Sequence, residues 1–116
     1  MERHGKAWGT TALLYATRYL QAHLLEIKAG GYCSEHRHER KTNTFIVLSG
    51  RMEVLIWPMD GVPECDTTLL TSGQVSTIPA GVFHKFHAFE DTVCLELYEA
   101  AEIEEDIVRR TVGGNE

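Results

Sequence analysis

Apolar residues along this chain fall in short runs, some continuous and some alternating with polar residues, and turn-forming residues break them every eight to twelve positions. That spacing predicts strands of an all-β sandwich or barrel. The runs are 10–17 (TTALLYAT), 19–28 (YLQAHLLEIK, closed by Ala29-Gly30-Gly31) and 32–38. After the polar stretch 39–42, 44–48 (TFIVL) continues, and Ser49-Gly50-Arg51 signals a tight turn that folds 52–57 (MEVLIW) back as a hairpin. Residues 58–66 hold two of the three prolines and form the one long loop. Runs at 67–71, 74–78, 83–89 and 92–99 follow, separated by Ser72-Gly73, Pro79-Ala80-Gly81 and Glu90-Asp91. Only 101–110 (AEIEEDIVRR) has a helical pattern, with acids early and arginines late as the helix dipole favours. The residues after it, 113–116, are expected to fray. About ten strands with one short C-terminal helix or turn imply a double-sheet, jelly-roll barrel.

Composition narrows the class. A length of 116 residues predicts one domain over 1–116, and 43% apolar with 24% charged residues argues against disorder. With 11 basic against 17 acidic residues, a general affinity for nucleic acid or anionic lipid is not expected. No apolar run reaches the roughly 20 residues of a membrane span, and the first residues lack the apolar stretch of a signal peptide. Three cysteines without a Cys-x-x-Cys spacing indicate neither a disulfide framework nor a zinc knuckle, so a cytoplasmic location is expected. Cys33 is assigned to packing. The aromatic residues Trp8, Phe45, Trp57, Phe83, Phe86 and Phe89 are assigned to the core or an interface.

Four of the six histidines form two clusters. His36 and His38 are two apart, so in a strand both leave the same face and can meet one ion. His84 and His87 follow the Pro79-Ala80-Gly81 turn, and closing the barrel can bring His84 beside the first pair. Imidazole suits Zn, Mn, Fe and Ni, although a His-x-His pair is also what a solvated strand presents. Asn43 lies five residues beyond His38, an odd offset that the polar 39–42 stretch must correct with a bulge or turn.

The spacing resembles a known family. Gly30, five residues, His36-Arg37-His38, four residues, Asn43, six residues and Gly50 resembles the first cupin motif, in which the position of Asn43 is normally Glu. Gly73, five residues, Pro79-Ala80-Gly81, two residues and His84 is similar to the second, whose trailing Asn falls at Ala88. Lys6-Ala7-Trp8-Gly9, Phe45-Ile46-Val47-Leu48-Ser49-Gly50 and Leu95-Glu96-Leu97-Tyr98-Glu99 extend the likeness to the cupin domain of mannose-6-phosphate isomerase/mannose-1-phosphate guanylyltransferase enzymes. So does Glu105-Asp106-Ile107-Val108-Arg109. The resemblance implies a cupin barrel with a divalent transition metal, its ligand positions matched by His36, His38, Asn43 and His84. In those enzymes the positions of His36, His38 and Asn43 carry Gln, His and Glu. The exchanges leave three neutral imidazoles with Asn43 as a weak oxygen ligand or a partner of a bound water.

Such a site is compatible with a sugar or sugar-phosphate isomerase or epimerase, in which the metal polarises the substrate carbonyl. The isomerase reading gains from the length of the resemblance; the alternatives are a three-histidine iron dioxygenase and a non-catalytic, metal-dependent protein that binds a sugar or small ligand. An isomerase needs a base near the ion. Glu96, on one strand face with Cys94 and Tyr98, is a candidate, as are His87 and Glu39; the opposite phase would send Glu96 to solvent. A phosphosugar needs cations, for which Lys41, Arg40, Lys85 and Arg109 are available. Edge strands, with the Lys6-Ala7-Trp8-Gly9 segment as a contact, predict a homodimer.

Overall fold

A computed structural model describes residues 1–103 and 106–116. The chain folds as β1 (His4–Lys6), β2 (Gly9–Ala16), β3 (Leu20–Ile27), β4 (Gly31–Tyr32), β5 (His36–Arg37), β6 (Thr42–Ser49) and β7 (Arg51–Trp57). It continues through β8 (Asp66–Thr71), β9 (Val75–Ile78), β10 (Phe83–Ala88), β11 (Thr92–Glu99), β12 (Val108–Arg109) and β13 (Gly114–Asn115). One antiparallel sheet has the order β1-β2-β3-β11-β6-β9. In the other, β10 is central: β7 lies on one side of it with β8 beyond, and β5 and β4 share the other side, extended by β12 and β13. The two sheets make the all-β jelly roll expected from the spacing of the runs.

Alternation along the strands fills the space between the sheets. In β10 the side chains of His84, Phe86 and Ala88 are buried, while Lys85 and His87 lie on the other face. In β11 Thr92, Cys94 and Glu96 are buried, which settles the phase of Glu96 inward. Leu25, Phe45, Val47, Met52, Val54 and Phe86 form the centre of the apolar core, with Trp8 packed edge-on to Phe86 at 5.1 Å. Trp8, Phe45, Phe83 and Phe86 are thus core residues, whereas Phe89 is 40% exposed.

Two local expectations are corrected. β6 and β7 do not form a hairpin, because each pairs within a different sheet and Gly50 is the corner between them. Gly50 has φ 92°, and a Cβ there would stand 2.4 Å from the Asp91 carbonyl oxygen, so the crossing admits only glycine. The C-terminal helix is not formed among the described residues. Ala101 and Glu102 bend, Val108–Arg109 is extended, and Glu104 and Glu105 lie outside the described residues. A short helix with a narrow apolar stripe is marginal by itself. Here the chain pairs instead with β5, Val108 opposite Arg37 and Arg109 opposite His36, and Arg110 N–H donates to the Glu35 carbonyl.

Candidate metal centre and cavity

The site lies between the sheets. His36 of β5 and His84 of β10 stand opposite each other in the antiparallel ladder. His38 follows β5 and turns its ring toward them, with centroids 5.0 Å from His36 and 5.7 Å from His84. One ring nitrogen from each of the three buried histidines lies within 4.8 Å of the others. Asn43 enters from β6 in the facing sheet. The odd offset from His38 is therefore harmless: the chain bends at Glu39 and Arg40 and changes sheets, so strand parity does not carry across.

The hydrogen bonds orient the rings. His36 Nδ1 lies 2.6 Å from the Ser34 carbonyl oxygen, His38 Nδ1 2.5 Å from that of Asp106, and His84 Nδ1 2.9 Å from that of Val82. A carbonyl only accepts, so each neutral ring carries its proton on Nδ1 and leaves the Nε2 lone pair free. This is the outer-shell arrangement that fixes imidazole ligands. His38 Nε2 is buried with no hydrogen-bond partner among the described residues. His84 Nε2 lies 3.0 Å from Asn43 Oδ1. Burial holds the rings neutral: His36 is pushed down to about 3 and His84 to about 4, each with help from a neighbouring imidazole, and His38 is lowered by burial with Lys41 and Arg109 adding to it. Three neutral nitrogen donors and an amide oxygen fit a divalent transition ion.

Asn43 links this cluster to Glu96. Its Nδ2 donates to Glu96 Oε2 and to the Leu97 carbonyl, both at 3.3 Å, which turns Oδ1 toward His84. Burial pushes the Glu96 carboxyl up to about 7, against hydrogen bonds from Tyr98 and Asn43 that pull it down. Burial also drives the Tyr98 hydroxyl well above its ordinary value.

A cavity of about 360 Å³ opens beside the cluster. His36, Glu96, Tyr98, Ser34 and His23 give it polar walls, Trp8, Leu25, Phe86 and Ile107 apolar ones, and Lys6 and Arg109 also line it. The fold thus brings His36, His38, Asn43, His84 and Glu96 together. It does not bring His87, which is an odd number of residues from His84 and faces away, 2.5 Å from Glu116 and 3.8 Å from Glu53. Glu39 is engaged by Arg37 at 2.7 Å on the surface, and Lys85 sits over the Tyr32 ring on the outer face. The Lys41 ammonium lies 5.1 Å from the Tyr98 ring centroid, and the Arg40 backbone N–H donates to Asp106. Cys33 is buried, with its thiol pushed up to about 12 by burial, and its sulfur accepts from Phe86 N–H. Sequence reasoning missed Ser34, His23 and Lys6. Ser34 was within reach, two residues before His36 in the run 32–38, with its carbonyl oxygen 2.6 Å from His36 Nδ1.

Residues 23–98 match the Cupin domain family. No curated protein matches the chain in sequence. Among solved structures, KdgF from Halomonas sp. is 20% identical with a TM-score of 0.75, covering 88% of this chain and 90% of that one. Oxalate decarboxylase from Bacillus subtilis is 16% identical with a TM-score of 0.80, over 94% of this chain. CapF, solved with the inhibitor 3-isopropenyl-tropolone, is 19% identical with a TM-score of 0.80, over 96% of this chain. The chain spans 30% of that oxalate decarboxylase chain and 34% of CapF. With two motifs in order, three inward histidines and a domain match over most of its length, the chain belongs to the cupin family.

Proposed function

We propose that this cupin holds a divalent transition ion, Zn, Mn, Fe or Ni, between His36, His38, His84 and Asn43. We further propose that it acts on a sugar or sugar phosphate by isomerase- or epimerase-type proton transfer. The observation that carries the metal centre is the proton count at His84. A neutral imidazole has one N–H, yet its two nitrogens face two acceptor oxygens, those of Val82 and Asn43. A cation between Nε2 and Oδ1 satisfies both lone pairs. When bound, such an ion polarises a carbonyl as a Lewis acid.

The proton falls to Glu96. Its carboxyl borders the same cavity as His36 and, near 7, is poised to take or give a proton at neutral pH. Asn43 Nδ2 orients it, and Trp8 and Phe86 give the cavity apolar walls beside it. The sugar-phosphate part draws on the resemblance to mannose-6-phosphate isomerase; the solved neighbours speak for the fold alone. We also propose one domain over 1–116, paired as a homodimer in the cytoplasm. Trp8 packs in its own core, so the contact falls to β1 and the exposed Leu13, Leu14 and Tyr15 of β2. Light scattering at micromolar concentration gives a dimer on this reading and a monomer against it.

The test of the chemistry is metal-loaded protein in D₂O with mannose, glucose and their 6-phosphates, followed by NMR at C2. Deuterium enters C2 with the parent, and Glu96→Gln slows it about 100-fold or more while metal content stays constant. No exchange with any of them, the ion being bound, overturns the isomerase reading and leaves ligand binding. Iron in the purified protein with oxygen uptake would favour the three-histidine dioxygenase.

A further inference from the structure

We propose that the cavity takes an anionic small molecule whose carboxylate or phosphate is held between Lys6 and Arg109. This rests on the cavity being the ligand site of the histidine cluster, and adds the charge of the ligand. Lys6 belongs to β1 and Arg109 to β12, one segment before and one after the matched domain at 23–98, and both line the cavity. Arg109 pairs with His36 across the β12–β5 ladder, which fixes its backbone one strand from the cluster.

Neither cation has an acid partner among the described residues. Arg3, Arg18, Arg37, Arg51 and Arg110 each have one, and Arg110, next in the chain, is bound to Glu35. In a chain with 17 acidic and 11 basic residues, acids to pair with are in excess. Two cations left unpaired on one cavity therefore mark where negative charge must come from outside. Among the described residues the only carboxylate in the lining is that of Glu96, which accepts from Asn43 Nδ2. Two cations against one carboxylate leave the lining with a net positive charge before any ion binds. An anion entering it exchanges water for charge-assisted hydrogen bonds. The volume is at the small end of ligand sites, suited to a monosaccharide-sized molecule, and Ser34, His23 and Tyr98 offer partners to its hydroxyls.

The test uses the full chain loaded with Zn²⁺ and three probes that differ only at C6: glucose, glucuronate and glucose 6-phosphate. Calorimetry should give at least one of the two anions a Kd about tenfold or more below that of glucose, and the anion preferred tells carboxylate from phosphate. Arg109→Gln and Lys6→Gln should each shrink the glucose-to-anion ratio severalfold, and Arg109→Lys should restore part of it; far-ultraviolet circular dichroism checks the fold. Equal Kd values for all three, or a ratio untouched in both Gln variants, overturn the proposal while the carbohydrate reading stands. If none of the sugars binds, acetate and inorganic phosphate are titrated by NMR. Saturable shifts at Arg109 Nε–H that vanish in Arg109→Gln support the proposal; their absence up to about 100 mM overturns it. Anion binding at Arg109 in a chain that takes up no ion would sink the metal reading instead.

Discussion

His84 Nε2 and Asn43 Oδ1 face each other at 3.0 Å, each with a lone pair, because the other side of each group is committed to a backbone or carboxyl partner. Asn43→Glu should place an anionic oxygen there and tighten binding of a hard ion such as Mn²⁺, as measured by competitive titration. The same change removes the donor to Glu96 and sets two carboxyls together, so the ion-free variant should melt at a lower temperature than the parent. His84→Ala removes a strong ligand and should lose its metal on dialysis. An Asn43→Glu variant with unchanged affinity would put Asn43 outside the ligand set.

The Asp106 carbonyl that orients His38 lies beyond the matched domain, held by its own carboxylate accepting from Arg40 N–H. Asp106→Ala should loosen that segment and lower metal affinity about tenfold, in the range seen for outer-shell partners, with little change in the circular dichroism spectrum. Unchanged affinity would mean that the carbonyl keeps its place without the carboxylate.

Glu96 gives the ion-free protein a pH signature. Its folded value of about 7 lies above the ordinary 4.5, so between those limits the folded state binds more protons than the unfolded chain. Its contribution to stability is full below about 4.5 and declines as pH rises to about 7. His36 and His84 act oppositely: their folded values of about 3 and 4 lie below 6.5, so their contribution is lost as pH falls from 6.5 through that range. Urea unfolding of Glu96→Gln against the parent isolates the first term. The difference between the two should shift steadily against the parent from pH 5 to 7, and a constant difference would contradict the burial of an ionisable carboxyl.

Gly50→Ala should cost about 2–4 kcal/mol by urea unfolding, since the methyl group meets backbone on both the Asp91 and Thr92 sides at positive φ. Loss of less than about 1 kcal/mol would mean that the corner between β6 and β7 can relax.

Much of this was legible in the chain. Strand runs at 10–17, 19–28, 44–48 and 92–99 reappear as β2, β3, β6 and β11 with ends shifted by two residues at most, since alternation and turn residues are local signals. The grouping of His36, His38 and His84 also followed from spacing and the motifs. What stayed hidden depends on long-range pairing. β1, β12 and β13 are two or three residues long and exist only through their partners, so no pattern could announce them or place Lys6 and Arg109 on the cavity. The hairpin at Gly50 failed because a tight-turn signal does not tell a return within one sheet from a corner between two. Strand parity places His87 on the face of β10 away from the cluster.

On this reading His36, His38, His84 and Asn43 hold one divalent ion through three Nε2 atoms. Side-chain ¹⁵N NMR of the histidines during Zn²⁺ titration tests it most directly. The three rings should carry Nδ1–H and an unprotonated Nε2 in the ion-free protein, with all three Nε2 signals shifting together and saturating at one equivalent. Rings that carry their proton on Nε2, or signals that respond separately or not at all, would contradict it.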